Sequence, residues 1–163
     1  MPEKKTQRAA SKDKKEGKSP STQAGEYVHE EIEHVREGKH GVRSTKQAIA
    51  IGLSKARRDG VKVPTSRTAS KSTRNKAAQD EAASHDHHRP AAKRSGATTS
   101  ALKKEGHEAA STTALSSHAK KITAKRSAGS RAASAKKAAH TKGAAGPSAA
   151  ARKAAKTRAK KAS

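Results

Sequence analysis

Twelve valine, isoleucine and leucine side chains are the only large aliphatics of this 163-residue chain, and Tyr27 is its one aromatic, with no phenylalanine or tryptophan. Nine of the twelve lie close together: Val28, Ile32, Val35, Val42, Ile49, Ile51, Leu53, Val61 and Val63. The other three, Leu102, Leu115 and Ile122, are too scattered to build a second core. Large aliphatics make up about 7% of the chain, far below the roughly 20% under which a highly charged chain is expected to be disordered. The formal net charge is +24, from 38 Lys and Arg against 14 Asp and Glu. So little apolar surface does not offset the entropy of ordering every residue. The expectation is a mostly disordered chain containing one small all-α helical hairpin. That divides it into a disordered basic arm (1–25), a hairpin module (26–64), a disordered Ser/Thr/Ala/His-rich linker (65–108) and a disordered basic tail (109–163) with transient helices.

Within the hairpin, "EYVHEEIEHVREG" predicts a helix over about 26–37, because Val28, Ile32 and Val35 follow i, i+4, i+7 spacing. Gly38 stands where a helix C-terminal glycine belongs. Glu26, Glu30, Glu31, Glu33 and Glu37 fall on the opposite, solvent-facing surface with His29 and His34, and His34 is placed to pair with Glu30 one turn earlier. The second helix is predicted over about 44–58, opened by a capping box in which Ser44 caps and Gln47 reaches back. Ala48, Gly52 and Ala56 form a small-residue ridge at four-residue spacing, which lets another helix approach closely. A helix-turn-helix with its turn at Gly52 is the competing reading, but the recognition helix would end before Gly60 and be too short for a major groove. A hairpin of about forty residues is near the lower limit of independent stability. Marginal stability, or pairing with a second copy or a partner protein, is therefore expected.

Metal and catalytic signals are sparse. "HEEIEH" separates His29 and His34 by five residues, which puts the imidazoles roughly 140° apart on a helix and rules out shared chelation. His85, His87 and His88 in "SHDHHRP" are weak candidates for loose metal binding, since no scaffold fixes them. No cysteine is present, so thiolate sites are excluded. No cofactor is expected, and no catalytic spacing or pocket-forming core suggests an enzyme.

The tail from 109 to 163 holds fourteen basic residues and no acidic one: Lys120, Lys121, Lys125, Arg126, Arg131, Lys136, Lys137, Lys142, Arg152, Lys153, Lys156, Arg158, Lys160 and Lys161. Cations that neutralise phosphates release counterions, a gain that requires no carved site. Lys46, Lys55, Arg57 and Arg58 on the second helix offer a secondary basic face.

Two resemblances follow from these residues. The Lys/Ala/Ser-rich tail is similar in composition to the tails of linker histones and of bacterial histone-like proteins. "STKQAIAIGLSKARRDGVKVP" (Ser44 to Pro64) resembles an uncharacterised family of small basic bacterial proteins sharing an S-x-K-Q-A-I-A-I-G-L-S-x-A-R stretch. The resemblance implies a bacterial source and no reaction chemistry. The functional expectation is a non-enzymatic, sequence-tolerant DNA-binding protein of the nucleoid, with duplex DNA favoured over RNA because the tail has no aromatic to stack on bases. The alternative is a hairpin that binds a partner protein and is tethered to the nucleoid or ribosomal RNA by the tail. No run is long and apolar enough for a signal peptide or membrane insertion, so the expected location is the cytoplasm, on the nucleoid.

Overall fold

In a computed structural model the chain is described over residues 2–66, 68–84 and 91–142, with the single positions 151 and 157. Among the described residues there are seven α-helices and no strand: α1 (Lys4–Lys15), α2 (Pro20–Arg36), α3 (Thr45–Arg58), α4 (Lys71–Ala82), α5 (Ala92–Lys103), α6 (Thr112–Ala124) and α7 (Ala128–Lys142). A short 3-10 turn, Glu108–Ala110, precedes α6. The expectation of a mostly disordered chain is thereby corrected. Aliphatic counting missed that alanine, threonine and buried carboxylates supply much of the packing.

The chain divides into two compact units, 1–116 and 117–163, with the boundary inside α6. In the first unit α2 and α3 form the predicted hairpin, and α1 and α4 pack against it. Helix α2 starts six residues before the predicted Glu26. Ser19 caps it by accepting from the Thr22 N–H at 3.3 Å, and Pro20 takes the first helical position, where a missing N–H costs nothing. At the other end, Gly38 adopts φ +74°. Its N–H donates to Val35 O, and that of Lys39 donates to His34 O, the paired bonds of a Schellman cap. Gly60 closes α3 in the same way, with bonds to Arg57 O and from Val61 to Ala56 O.

Helix α3 runs unbroken through Gly52, so no helix-turn-helix forms there. A Cβ on Gly52 would lie 2.7 Å from the Val28 Cα of α2. The small-residue ridge is therefore the surface on which the two hairpin helices meet, and Ala48, Gly52 and Ala56 are all buried. The capping box is half as expected. Ser44 accepts from the Gln47 N–H at 3.3 Å, but the Gln47 carboxamide oxygen accepts from Arg43, at 3.2 Å.

Two apolar clusters flank this contact. Ala10, Ala24, Tyr27, Ala56 and Val61 form one, with Leu53 and Val63 at its edge. Val35, Val42, Ala48 and Ala110 form the other, with Ile32 and Ile51. Ala110 reaches the core because residues 102–110 strap the connector between α2 and α3. Gly41 and Val42 N–H groups donate to Leu102 and Gly106 carbonyls, both at 2.9 Å. Thr45 Oγ1 donates to Ala109 O at 2.7 Å, and Arg36 Nε to Ala110 O at 3.0 Å. No room exists for a side chain at Gly41, where an added Cβ would collide with the Glu105 carbonyl.

In the second unit, α7 is alanine-rich, and every side chain from 128 to 140 is exposed. It is held by helix propensity, in which alanine ranks first, and by local bonds such as Arg131 Nη1 to Arg126 O at 2.8 Å.

Candidate nucleic-acid interface and buried charge network

Cations and carboxylates are distributed unequally. All 14 Asp and Glu lie in residues 1–116 with 24 Lys and Arg, whereas 117–163 carries 14 Lys and Arg alone. The net charges are +10 and +14.

In the first unit many of these charges face inward. Glu30 and Glu31, expected on a solvated face, are 5% and 1% exposed. Glu30 accepts from the Glu3 N–H at 3.0 Å and from Lys55 Nζ at 3.2 Å. Burial pushes its carboxyl up, but hydrogen bonds from Thr6 and Glu3 and the Lys55 charge outweigh that and hold it below its ordinary value. Lys55 Nζ also lies 2.7 Å from Glu31 Oε2. Asp80 fastens α4. It accepts from Ser54 Oγ at 2.6 Å, Arg58 Nε at 2.9 Å and Lys76 Nζ at 3.1 Å. Burial opposes ionisation there too, yet these donors keep its carboxyl low. Asp59 joins three elements, accepting from the Tyr27 hydroxyl and from Gln7 Nε2. Burial, followed by this contact with Asp59, drives the Tyr27 phenol well above its usual range.

The secondary basic face expected on α3 is thus largely engaged within the fold. Lys55 and Arg58 face carboxylates, Arg57 Nε donates to Val63 O at 3.3 Å, and Lys46 is exposed. An exposed basic stripe lies instead on α1, where Lys4, Arg8, Lys12 and Lys15 line a shallow open groove with Gln7 and Ser11. Its signal was the i, i+4, i+8 spacing of Lys4, Arg8 and Lys12, hidden by reading 1–25 as a disordered arm.

Of the fourteen tail cations, Lys120, Lys121, Lys125, Arg126, Arg131, Lys136 and Lys137 are exposed on or between α6 and α7, and Lys142 ends α7. Arg152, Lys153, Lys156, Arg158, Lys160 and Lys161 lie outside the described residues, as do His85, His87 and His88. Around α7, Arg131, Lys136 and Lys137 fall at about 0°, 140° and 240° of a 3.6-residue helix, so charge is spread over its circumference.

His34 pairs with Glu3, its Nε2 lying 2.9 Å from Oε1, and not with Glu30. It sits near His40, with ring centroids 6.2 Å apart, and Glu31, His34 and His40 each offer a donor atom within 4.8 Å of the others. The E-x-x-H spacing of Glu31 and His34 carried half of this signal, since residues three apart share a helix face. His40 comes from the connector, beyond the reach of helical periodicity.

Among the described residues no helix is long and apolar enough to cross a membrane. A family model described as a family of unknown function (DUF6496) matches residues 14–67. That stretch contains α2, α3 and the Ser44–Pro64 motif, and the match agrees with the resemblance to an uncharacterised domain family. No curated protein and no solved structure matches the chain.

Proposed function

We propose that this chain is a non-enzymatic, sequence-tolerant nucleic-acid-binding protein of the bacterial nucleoid, with duplex DNA as its favoured ligand. The observation that carries the reading is the acid-free segment 117–163. Its fourteen cations share the segment with no Asp or Glu side chain, and the seven whose side chains are described are exposed. Each phosphate they neutralise releases condensed counterions. Alanine-rich helices with cations on every side can track a phosphate backbone without presenting side chains to base edges, so base specificity is weak. The segment has no aromatic residue, which disfavours single-strand recognition by stacking. The folded unit of 1–116 carries the segment and adds the α1 stripe as a second, weaker contact. Self-association of that unit, as a homodimer, would multiply the phosphates engaged and raise avidity.

The test is competition. Fluorescence anisotropy of labelled duplex DNA, challenged with unlabelled duplex, ribosomal RNA or heparin, is expected to show duplex DNA competing best at equal phosphate concentration and little difference between duplex sequences. Preferential displacement by ribosomal RNA would move the ligand to RNA. Tight binding of one duplex sequence alone would refute the phosphate-based reading.

A further inference from the structure

The buried carboxylate of Glu31 and the two imidazoles beside it play no part in phosphate binding. We propose that Glu31, His34 and His40 form a binding site for one divalent transition-metal ion of the zinc class.

The donor set comes first. Two imidazoles and one carboxylate suit zinc and its borderline neighbours, leaving a fourth position for water. Tetrahedral coordination at about 2.0–2.1 Å places donor atoms roughly 3.3 Å apart. The three donors here already lie within 4.8 Å of one another, so closure requires small side-chain adjustments only.

Glu31 supplies the second observation. Its side chain is 1% exposed, and neither carboxylate oxygen receives a hydrogen bond of good geometry. A buried carboxylate left in that state is costly. Lys55 Nζ offsets the charge on the Oε2 side, at 2.7 Å. The Oε1 side faces His40 Nε2 at 3.2 Å.

His40 is oriented for the task. Its Nδ1 lies 3.2 Å from the Gly41 carbonyl oxygen, which can only accept, so Nδ1 carries the hydrogen. In the neutral ring Nε2 then turns a lone pair toward Glu31 Oε1. Two acceptors facing each other are reconciled by a cation between them. An Nδ1–H donated to a backbone carbonyl is also the outer support that metal-ligating histidines usually have. His34 has a comparable support in the Glu3 carboxylate, 2.9 Å from its Nε2. The strap of residues 102–106 fixes the connector that bears His40, so a bound ion would clip that connector to α2.

Cobalt and zinc titrations of the whole protein test this, after nuclease treatment and with His85, His87 and His88 changed to alanine to silence the linker tract. The expected result is one equivalent of Co2+ bound with the intense visible bands of a low-coordinate ion, displaced by Zn2+. His34→Gln and His40→Gln are each expected to abolish those bands while far-ultraviolet circular dichroism of the metal-free protein is unchanged. A second readout needs no variant at these positions. On Zn2+ addition the imidazole resonances of His34 and His40 should shift, and those of His29, His107, His118 and His140 should stay in place. Absence of saturable one-site binding, bands that persist in both glutamine variants, or unmoved His34 and His40 resonances would overturn the site.

Discussion

Residues 2–116 and the described part of 117–163 use the same two residue types, lysine and alanine, to opposite ends. In the first unit Ala10, Ala24, Ala48, Ala56, Ala77 and Ala110 are buried where helices meet. In α7 the alanines from 128 to 139 are exposed and contribute only propensity. Lys18, Lys55 and Lys76 lie within 3.2 Å of carboxylates, whereas α6 and α7 contain no acidic residue at all. Where carboxylates are available, cations help to specify a fold. Where no Asp or Glu is at hand, the described cations stay on exposed helix surfaces.

Four perturbations sharpen or break that contrast. The largest effect is expected from changing all fourteen cations of 117–163 to glutamine. With a counterion-release slope of about −0.9 per phosphate, losing about six contacts lowers duplex affinity by roughly 10³-fold or more at about 0.2 M salt, read by anisotropy, while the thermal midpoint of the first unit stays the same. Next is Gly52→Ala. It forces a methyl group to 2.7 Å from the Val28 Cα, and overpacking of this kind costs about 1–3 kcal/mol, measurable as a lower urea midpoint. Asp80→Ala removes three donors' shared acceptor, a loss of about 2 kcal/mol. Because Ala77 and Asp80 are the only buried residues of α4, amide exchange should accelerate over 71–82 and leave α2 and α3 protected. The smallest and opposite effect belongs to Gly129→Ala in α7. No atom lies within 4 Å of the added carbon, so helix content should rise, with a gain of up to about 1 kcal/mol.

Acid is a further probe of the first unit. Glu30 and Asp80 are both held below their ordinary values of 4.5 and 3.8. A folded-state value below the unfolded one stabilises the fold at pH above the unfolded value. That contribution is lost as pH falls through the folded values. The melting temperature should therefore hold between about pH 7 and 5 and drop below about pH 4.5. Glu30→Gln should flatten the drop, and a profile unchanged by that substitution would contradict the assignment.

How much was legible beforehand follows from which interactions have a period. The hairpin, the glycine stop at Gly38 and the ridge of Ala48, Gly52 and Ala56 all obey local spacing, and the structure places them within a residue or two of expectation at α3. The start of α2 was missed because Gly25 and the polar run before it masked the Ser19–Pro20 opening. Glu30 and Asp80 were unreadable as interior groups, since most of the donors that make their burial tolerable arrive from other elements. Thr6, Lys55, Ser54 and Arg58 are those donors. The strap of 102–110 is invisible for the same reason, as its bonds to Gly41, Val42 and Thr45 cross more than sixty residues. The basic segment was legible as charge, and its helices only as transient ones, because like-charge repulsion was weighed above alanine's helix propensity.

The most direct measurement is the salt dependence of duplex affinity for the whole chain and for a chain ending at Ser116. If about seven of the fourteen cations meet phosphates, log affinity against log salt should be steeper by about 6 in the whole chain. Equal slopes and equal affinities in the two chains would show that the acid-free segment is not what holds the polyanion.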